Sequence, residues 1–203
     1  MDAIGREFSI TFDYRCPFAR NAHEHVVAAL SAGADYRVRF IPFSLSQAHV
    51  ADGDPPVWDD PQAHDQLLAI AAGLVVRERY AEQFSAAHLA LFAARHDNDG
   101  DLRDAQVIRA ALAGAGVDDT AVFAELEAGW PFELFRREHE AAVRDHAVFG
   151  VPTFIVGEQA VFVRLMTRPR GDGELARTTI ERVLDLLVDH PELNEFKHTS
   201  IPR

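Results

Sequence analysis

The feature that most constrains the fold of this sequence is an abrupt change of hydrophobic period around residues 13–17. From Glu7 to Asp13, the apolar Phe8, Ile10 and Phe12 alternate with Ser9, Thr11 and Asp13, the period of a half-buried strand. After Tyr14, Arg15, Cys16 and Pro17 the spacing becomes helical: Ala19, Ala22, Val26, Val27 and Leu30 gather on one face, and Gly33 supplies a stop. Pro17 suits a first helical turn, where no backbone donor is lost. Tyr36 to Phe43 alternates again, with Val38 and Phe40 opposite Arg37 and Arg39. Strand, helix and strand in that order imply two parallel strands joined by a right-handed crossover.

The stretch Asp52 to Asp60, with Gly53, Pro55 and Pro56, is rich in turn formers and marks the exit from this unit. Between Pro61 and His146 the periodicity offers no strand, only helical stretches at 62–72, 78–95, 104–114, 119–128 and 132–146. Strand character returns at Thr153 to Val156, turns at Gly157-Glu158-Gln159, and continues from Ala160 to Leu165; Glu174 to Asp189 closes as an amphipathic helix. The expected fold class is therefore α/β, a small mixed sheet under helices, with residues 1–55 and 147–203 forming one domain and 56–146 an all-helical insertion.

Charge narrows the partners. In 203 residues, 32 acidic side chains oppose 20 basic ones, so the net charge of −12 repels nucleic acid and anionic membranes. No stretch reaches the roughly 20 apolar residues of a membrane span. The opening Met-Asp-Ala-Ile-Gly-Arg-Glu lacks the basic and apolar stretches of a secretory signal. A single cysteine excludes an internal disulfide and fits a reducing compartment, so the expected location is the cytoplasm.

That cysteine, Cys16, falls where the first strand gives way to the first helix. Unpaired backbone N–H groups and the helix dipole favour an anion there, so the position predicts an easily ionised, nucleophilic thiol, with Arg15 and Arg20 as electrostatic aids. The competing reading is a buried small hydrophobe. Asp13, just upstream, would raise the titration of the thiol or accept its proton. In the second notable segment, Gly150-Val151-Pro152-Thr153-Phe154, a proline directly precedes a strand.

Together, Phe12-Asp13-Tyr14-Arg15-Cys16-Pro17-Phe18-Ala19 and Gly150-Val151-Pro152-Thr153-Phe154 resemble the two site motifs of the DsbA-like branch of the thioredoxin superfamily, across nearly the whole chain. The resemblance implies a thioredoxin-like fold with a helical insertion, Cys16 as nucleophile, and a cis-proline loop at Pro152. It also implies a thiol or substrate site formed by Tyr14, Pro17, Phe18, Ala19, Val151, Pro152, Thr153 and Arg168. Phe162 to Gly171, with Arg168-Pro169-Arg170-Gly171, and the ending His190-Pro191 through Phe196-Lys197-His198-Thr199 further resemble actinobacterial mycothiol-dependent reductases. The second cysteine that is usual in the family, three residues after the first, is Ala19 here. Dithiol chemistry is thereby closed, while exchange through one thiol, resolved by mycothiol or glutathione, stays open. The branch is also similar to kappa-class glutathione transferases and related isomerases, in which a bound thiol does the chemistry. A third alternative is a non-catalytic binding protein. Insertions of this kind supply dimer faces in the family, so the expected partners are a small-molecule or thiol substrate and a second copy of the chain.

The remaining candidates are weaker. His23 and His25 are assigned to surface or supporting positions, and His64, His88, His96, His139 and His146 share no metal-ligand spacing, so no metal is expected. Asp97-Asn98-Asp99-Gly100-Asp101 looks like half a calcium loop, but no glutamate follows at the twelfth position; a solvated turn is the expectation. Arg168 and Arg170 could clamp a ligand carboxylate. Trp130, Phe132 and Phe135 have helical spacing and read as core.

Overall fold

The computed structural model describes residues 6–195 and 197–200; Phe196, which carries part of the narrower likeness, and the first five residues lie outside the described residues. Strand β1 (Arg6–Phe12) leads into helix α1 (Pro17–Ser31) and strand β2 (Tyr36–Pro42), and β1 and β2 pair in parallel with Ile10 opposite Phe40. Six helices follow before the sheet resumes: α2 (Leu45–Ala48), α3 (Leu68–Arg79), α4 (Ala81–His96), α5 (Ala105–Gly114), α6 (Asp119–Glu127) and α7 (Trp130–His146). Strands β3 (Thr153–Val156) and β4 (Gln159–Phe162) and helix α8 (Gly173–Asp189) complete the order. The four-stranded sheet runs β2-β1-β3-β4, with β3 antiparallel to both neighbours.

The apolar face of β1 is buried as its period dictates, Ile10 and Phe12 fully and Phe8 nearly so, but the half-buried pattern fails at the strand's end, where Thr11 and Asp13 on the other face are fully buried too. Helices α1 and α8 pack on each other, and α7 lies against β2. One cluster of buried side chains runs without a break from Phe12 and Phe154 in the sheet through Val26 of α1 to Leu74 and Leu91 of the helical block. No helix among the described residues is long and apolar enough to cross a membrane.

Several expected boundaries move, for identifiable reasons. The helix expected at 62–72 starts as a 3₁₀ turn at His64–Leu67 and runs as α3 through Gly73 to Arg79; the break falls at Tyr80 instead. Gly73 is a point of close approach and not a stop, since a Cβ there would lie 2.4 Å from the Tyr14 hydroxyl oxygen. The last strand ends at Phe162, short of the expected Leu165. Helix α2, capped by the Ser44 side chain on Gln47 N–H, is too short for any period to reveal. The 97–101 turn is held by arginines: Asp97 pairs with Arg20 and Arg168, and Asp101 with Arg103. Phe135 is fully buried, while Trp130 and Phe132 pack at the edge of the core.

Candidate active site

Cys16 is the N-cap of α1, with extended backbone and Pro17 opening the helix. Its sulfur accepts from Ala19 N–H at 3.4 Å, the bond that a capping side chain makes to an otherwise unpaired donor. On the opposite side Sγ donates to the Val151 carbonyl at 3.4 Å, which joins two segments 135 residues apart. The thiol is buried, at 7% exposure.

Burial decides its ionisation. Desolvation pushes the Cys16 thiol up and Asp13 adds to this, while the Ala19 and Phe18 amides and the Arg164 guanidinium pull it down without overcoming burial. This direction runs against the expectation of an easily ionised thiol, because the helix N-terminus that would favour a thiolate lies in a largely buried site. The cation that acts on it is also a different one. Arg15 is committed to Asp13 and Arg20 to Glu24 and Asp97, whereas Arg164 stands over the rings of Phe18 and Phe162, 5.4 and 5.3 Å from their centroids.

The loop that faces Cys16 is tied into the sheet by two threonines. Thr11 Oγ1 accepts from Thr153 N–H at 2.9 Å and donates to the Gly150 carbonyl, which also accepts from Thr153 Oγ1 at 2.8 Å. The Val151–Pro152 peptide is cis, and Pro152 O accepts from Val163 N–H of the neighbouring chain segment. Val151, Pro152 and Thr153 are all buried, while Phe149 just upstream is 71% exposed and rests against Phe162.

The loop that carries Cys16 is anchored differently, into the helical block. The fully buried Asp13 carboxylate accepts from Arg15 N–H, from the Arg15 guanidinium at 2.6 Å, and from Leu45 N–H at 2.9 Å. Arg15 reaches on to Ser46 Oγ, which bonds Gln66. The Tyr14 carbonyl accepts from His96 Nε2 at 2.9 Å. Its hydroxyl, 2.9 Å from His88 Nδ1, begins a buried chain in which His88 Nε2 lies 2.8 Å from His23 Nδ1 and His23 Nε2 lies 3.1 Å from Thr11 O. Thr11 O can only accept, so His23 Nε2 carries the proton. His23 Nδ1 then accepts from His88 Nε2–H, and His88 Nδ1 accepts from the Tyr14 hydroxyl. Burial keeps both rings neutral, with His23 down at about 4 and His88 well below its ordinary value, and holds the Tyr14 hydroxyl protonated.

The structure therefore brings the Phe18 and Ala19 amides and the Val151 carbonyl to the Cys16 sulfur, with Pro17 opening the helix beside it and Pro152 and Thr153 following Val151 in the facing loop. It does not place Tyr14 or Arg168 there as ligand groups. The Tyr14 side chain is fully enclosed and its hydroxyl is used by His88; Arg168 pairs with Glu24 at 2.6 Å and Asp97 at 3.4 Å, tying the segment after β4 to α1 and the 97–101 turn. His23 and His25, assigned to surface or supporting positions, are both buried: His23 supports Thr11 from within the chain to Tyr14, and His25 Nδ1 donates to the Asn21 carbonyl. Sequence reasoning missed Arg164, Thr11 and His88. The polar position of Thr11 in an otherwise apolar strand end was a signal; nothing in sequence spacing links His88 to residues 65 and 74 positions away.

A family model described as a DSBA-like thioredoxin domain matches residues 8–167. No curated protein matches the chain. Among solved structures, the chain is similar to the cytosolic disulfide reductase DsbM from Pseudomonas aeruginosa with GSH, at 17% identity and a TM-score of 0.60, covering 89% of this chain and 100% of that one. It is also similar to a 2-hydroxychromene-2-carboxylate isomerase, at 18% identity and 0.59, covering 90% and 98%. DsbA from Pseudomonas aeruginosa matches at 20% identity and 0.56, covering 91% and 87%. At these identities the likeness is one of fold.

Proposed function

The chain belongs to the DSBA-like thioredoxin domain family, and from that membership we propose that it is a cytoplasmic thiol-disulfide oxidoreductase working through Cys16 alone, with mycothiol or glutathione as the resolving thiol. One observation carries the reading: the only sulfur of the cysteine type in the chain caps α1 and faces the Val151–Pro152 loop, with a backbone donor on one side and a carbonyl on the other.

In the first step Cys16 gives its proton to solvent and the thiolate attacks one sulfur of a substrate disulfide. A Cys16–substrate disulfide forms and the other substrate sulfur leaves as a thiolate, which takes up a proton. The Ala19 amide, already directed at Sγ, holds the thiolate before attack. In the second step the thiolate of the small co-substrate attacks the substrate sulfur of the mixed disulfide, and Cys16 leaves and is reprotonated. The net change is one substrate thiol released and one disulfide formed between the substrate and the small thiol. Ala19 in place of a second cysteine means that only an external thiol resolves the intermediate.

Burial pushes the Cys16 thiol up, so the neutral thiol is the resting form and the attacking thiolate depends on the Ala19 amide for stabilisation. The same neutral thiol favours one further reading, in which Cys16 donates its S–H to a bound thiol cofactor of an isomerase or transferase.

Intact-protein mass spectrometry after incubation with oxidised mycothiol or oxidised glutathione tests the proposal. An adduct of one thiol mass on the parent, absent from Cys16→Ser and removed by excess reduced thiol, is expected. No adduct under these conditions overturns exchange at Cys16, and thiol-dependent substrate conversion without any disulfide formed selects the second reading.

A further inference from the structure

Beside the loop that carries Cys16 lies a cavity of about 440 Å³, open toward solvent between that loop and the helical block. Ala69 and Ile70 of α3 and Leu102 give it a buried apolar floor, and Arg15, Arg95 and Arg103 reach its walls. The size, the apolar floor and the few polar groups match the general character of small-molecule sites.

The charge of this lining runs against that of the protein. In a chain of net charge −12, the cavity carries three guanidiniums against two carboxylates. Both carboxylates are already committed: Asp13 to Arg15 at 2.6 Å and Asp101 to Arg103 at 2.7 Å. Asp65 adds only a weaker field at Arg103. The guanidinium of Arg95, exposed in the last turn of α4, makes no hydrogen bond or ion pair with any other described residue, and it acts on Asp101 and His96 through space alone. One uncommitted, planar cation above an apolar floor suits a carboxylate, which it can grip with two parallel hydrogen bonds. A phosphate dianion would bring a second negative charge beside Asp13 and Asp101 with no cation left for it.

We propose that this cavity binds a small organic molecule with one carboxylate on an apolar body, the carboxylate paired with Arg95 and the body resting on Ile70 and Leu102. Since Arg15 directly precedes Cys16, a molecule held there lies next to the segment that carries the sulfur. Its role as the substrate of Cys16 rests on the thiol chemistry proposed above; its binding does not.

The test uses Cys16→Ser protein, so that binding is read without chemistry, and titrates 3-phenylpropionate against its neutral analogue 3-phenylpropanamide by calorimetry and ligand-observed NMR. Saturable binding of the carboxylate at up to about 10 mM is expected, weakened at least about fivefold by Arg95→Gln and by the amide, with Arg95→Lys intermediate. Equal binding of acid and amide, an affinity unchanged in Arg95→Gln, or no saturable binding of the acid overturns the proposal. Binding that survives in a protein whose Cys16 forms no adduct would remove the exchange reading and leave the cavity assignment standing.

Discussion

The two loops that meet at Cys16 are held in opposite ways. The Gly150–Thr153 loop is fastened locally, by threonine hydroxyls and backbone groups of the sheet itself, none of which titrates near neutral pH. The Asp13–Cys16 loop is fastened remotely, by a carboxylate, two imidazoles and a phenol whose partners lie in the helical block or at its entrance. The geometry on one side of the sulfur thus belongs to the sheet, whereas on the other side it is imported from the insertion. The insertion is therefore part of the site's construction, since Gly73 and His88 together fix where Tyr14 can lie.

Acid separates the two loops most strongly. His23, and His139 of α7, which is buried against Phe43 and accepts from Ser44 N–H, sit at about 4 in the folded protein, below the ordinary imidazole value of 6.5, so the unfolded chain binds more protons between those values. Their contribution is present above about 6.5 and is lost as pH falls toward 4, at up to about 1.4 kcal/mol per pH unit for each ring. Chemical denaturation from pH 7 to 4.5 should show a loss of several kcal/mol. Hydrogen exchange over the same range should rise at residues 13–16 before it rises at 150–153, and simultaneous loosening would dissolve the contrast.

Removing the carboxylate should come next. Asp13→Ala leaves Leu45 N–H and the Arg15 guanidinium without their acceptor and is expected to cost about 3 kcal/mol, read by urea unfolding. Asp13→Asn, which keeps the shape, should lower the Cys16 titration point, because the carboxylate holds it up.

Gly73→Ala drives a methyl group into the Tyr14 hydroxyl and is expected to cost about 2 kcal/mol. In a Tyr14→Phe background the cost should shrink, since the clashing oxygen is gone; strict additivity in this double-mutant cycle would show that Gly73 does not act through Tyr14. The smallest effect belongs to Arg168→Ala. Its ion pairs with Glu24 and Asp97 are part-exposed, so a loss below about 1 kcal/mol is expected, shrinking further with added salt.

What was legible in the sequence divides along the same line. Periodicity carried the strand–helix–strand unit and the final hairpin and helix, because alternation in Phe8, Ile10 and Phe12 and the helical stripe of α1 are local records of burial. The placement of Cys16 at a helix start was equally local, as Pro17 marks it. The helical stretch expected at 62–72 ended short of Gly73 because nothing nearby in sequence shows that the glycine leaves space for a tyrosine hydroxyl 59 positions upstream. The histidine chain stayed hidden for the same reason. For the ionisation of Cys16, the helix terminus is visible in sequence, whereas the burial that opposes it is a product of tertiary packing.

The account turns on that thiol, and its lone occurrence makes it directly measurable. The rate of iodoacetamide alkylation of Cys16, followed by intact mass from pH 5 to 11, gives the titration midpoint, with denatured protein as the reference. A midpoint above that of an unperturbed thiol, about 8.5, is the predicted result and supports a buried, neutral resting cysteine held against Val151. A midpoint below about 7 would contradict it and show that the helix N-terminus and Arg164 outweigh burial at the sulfur.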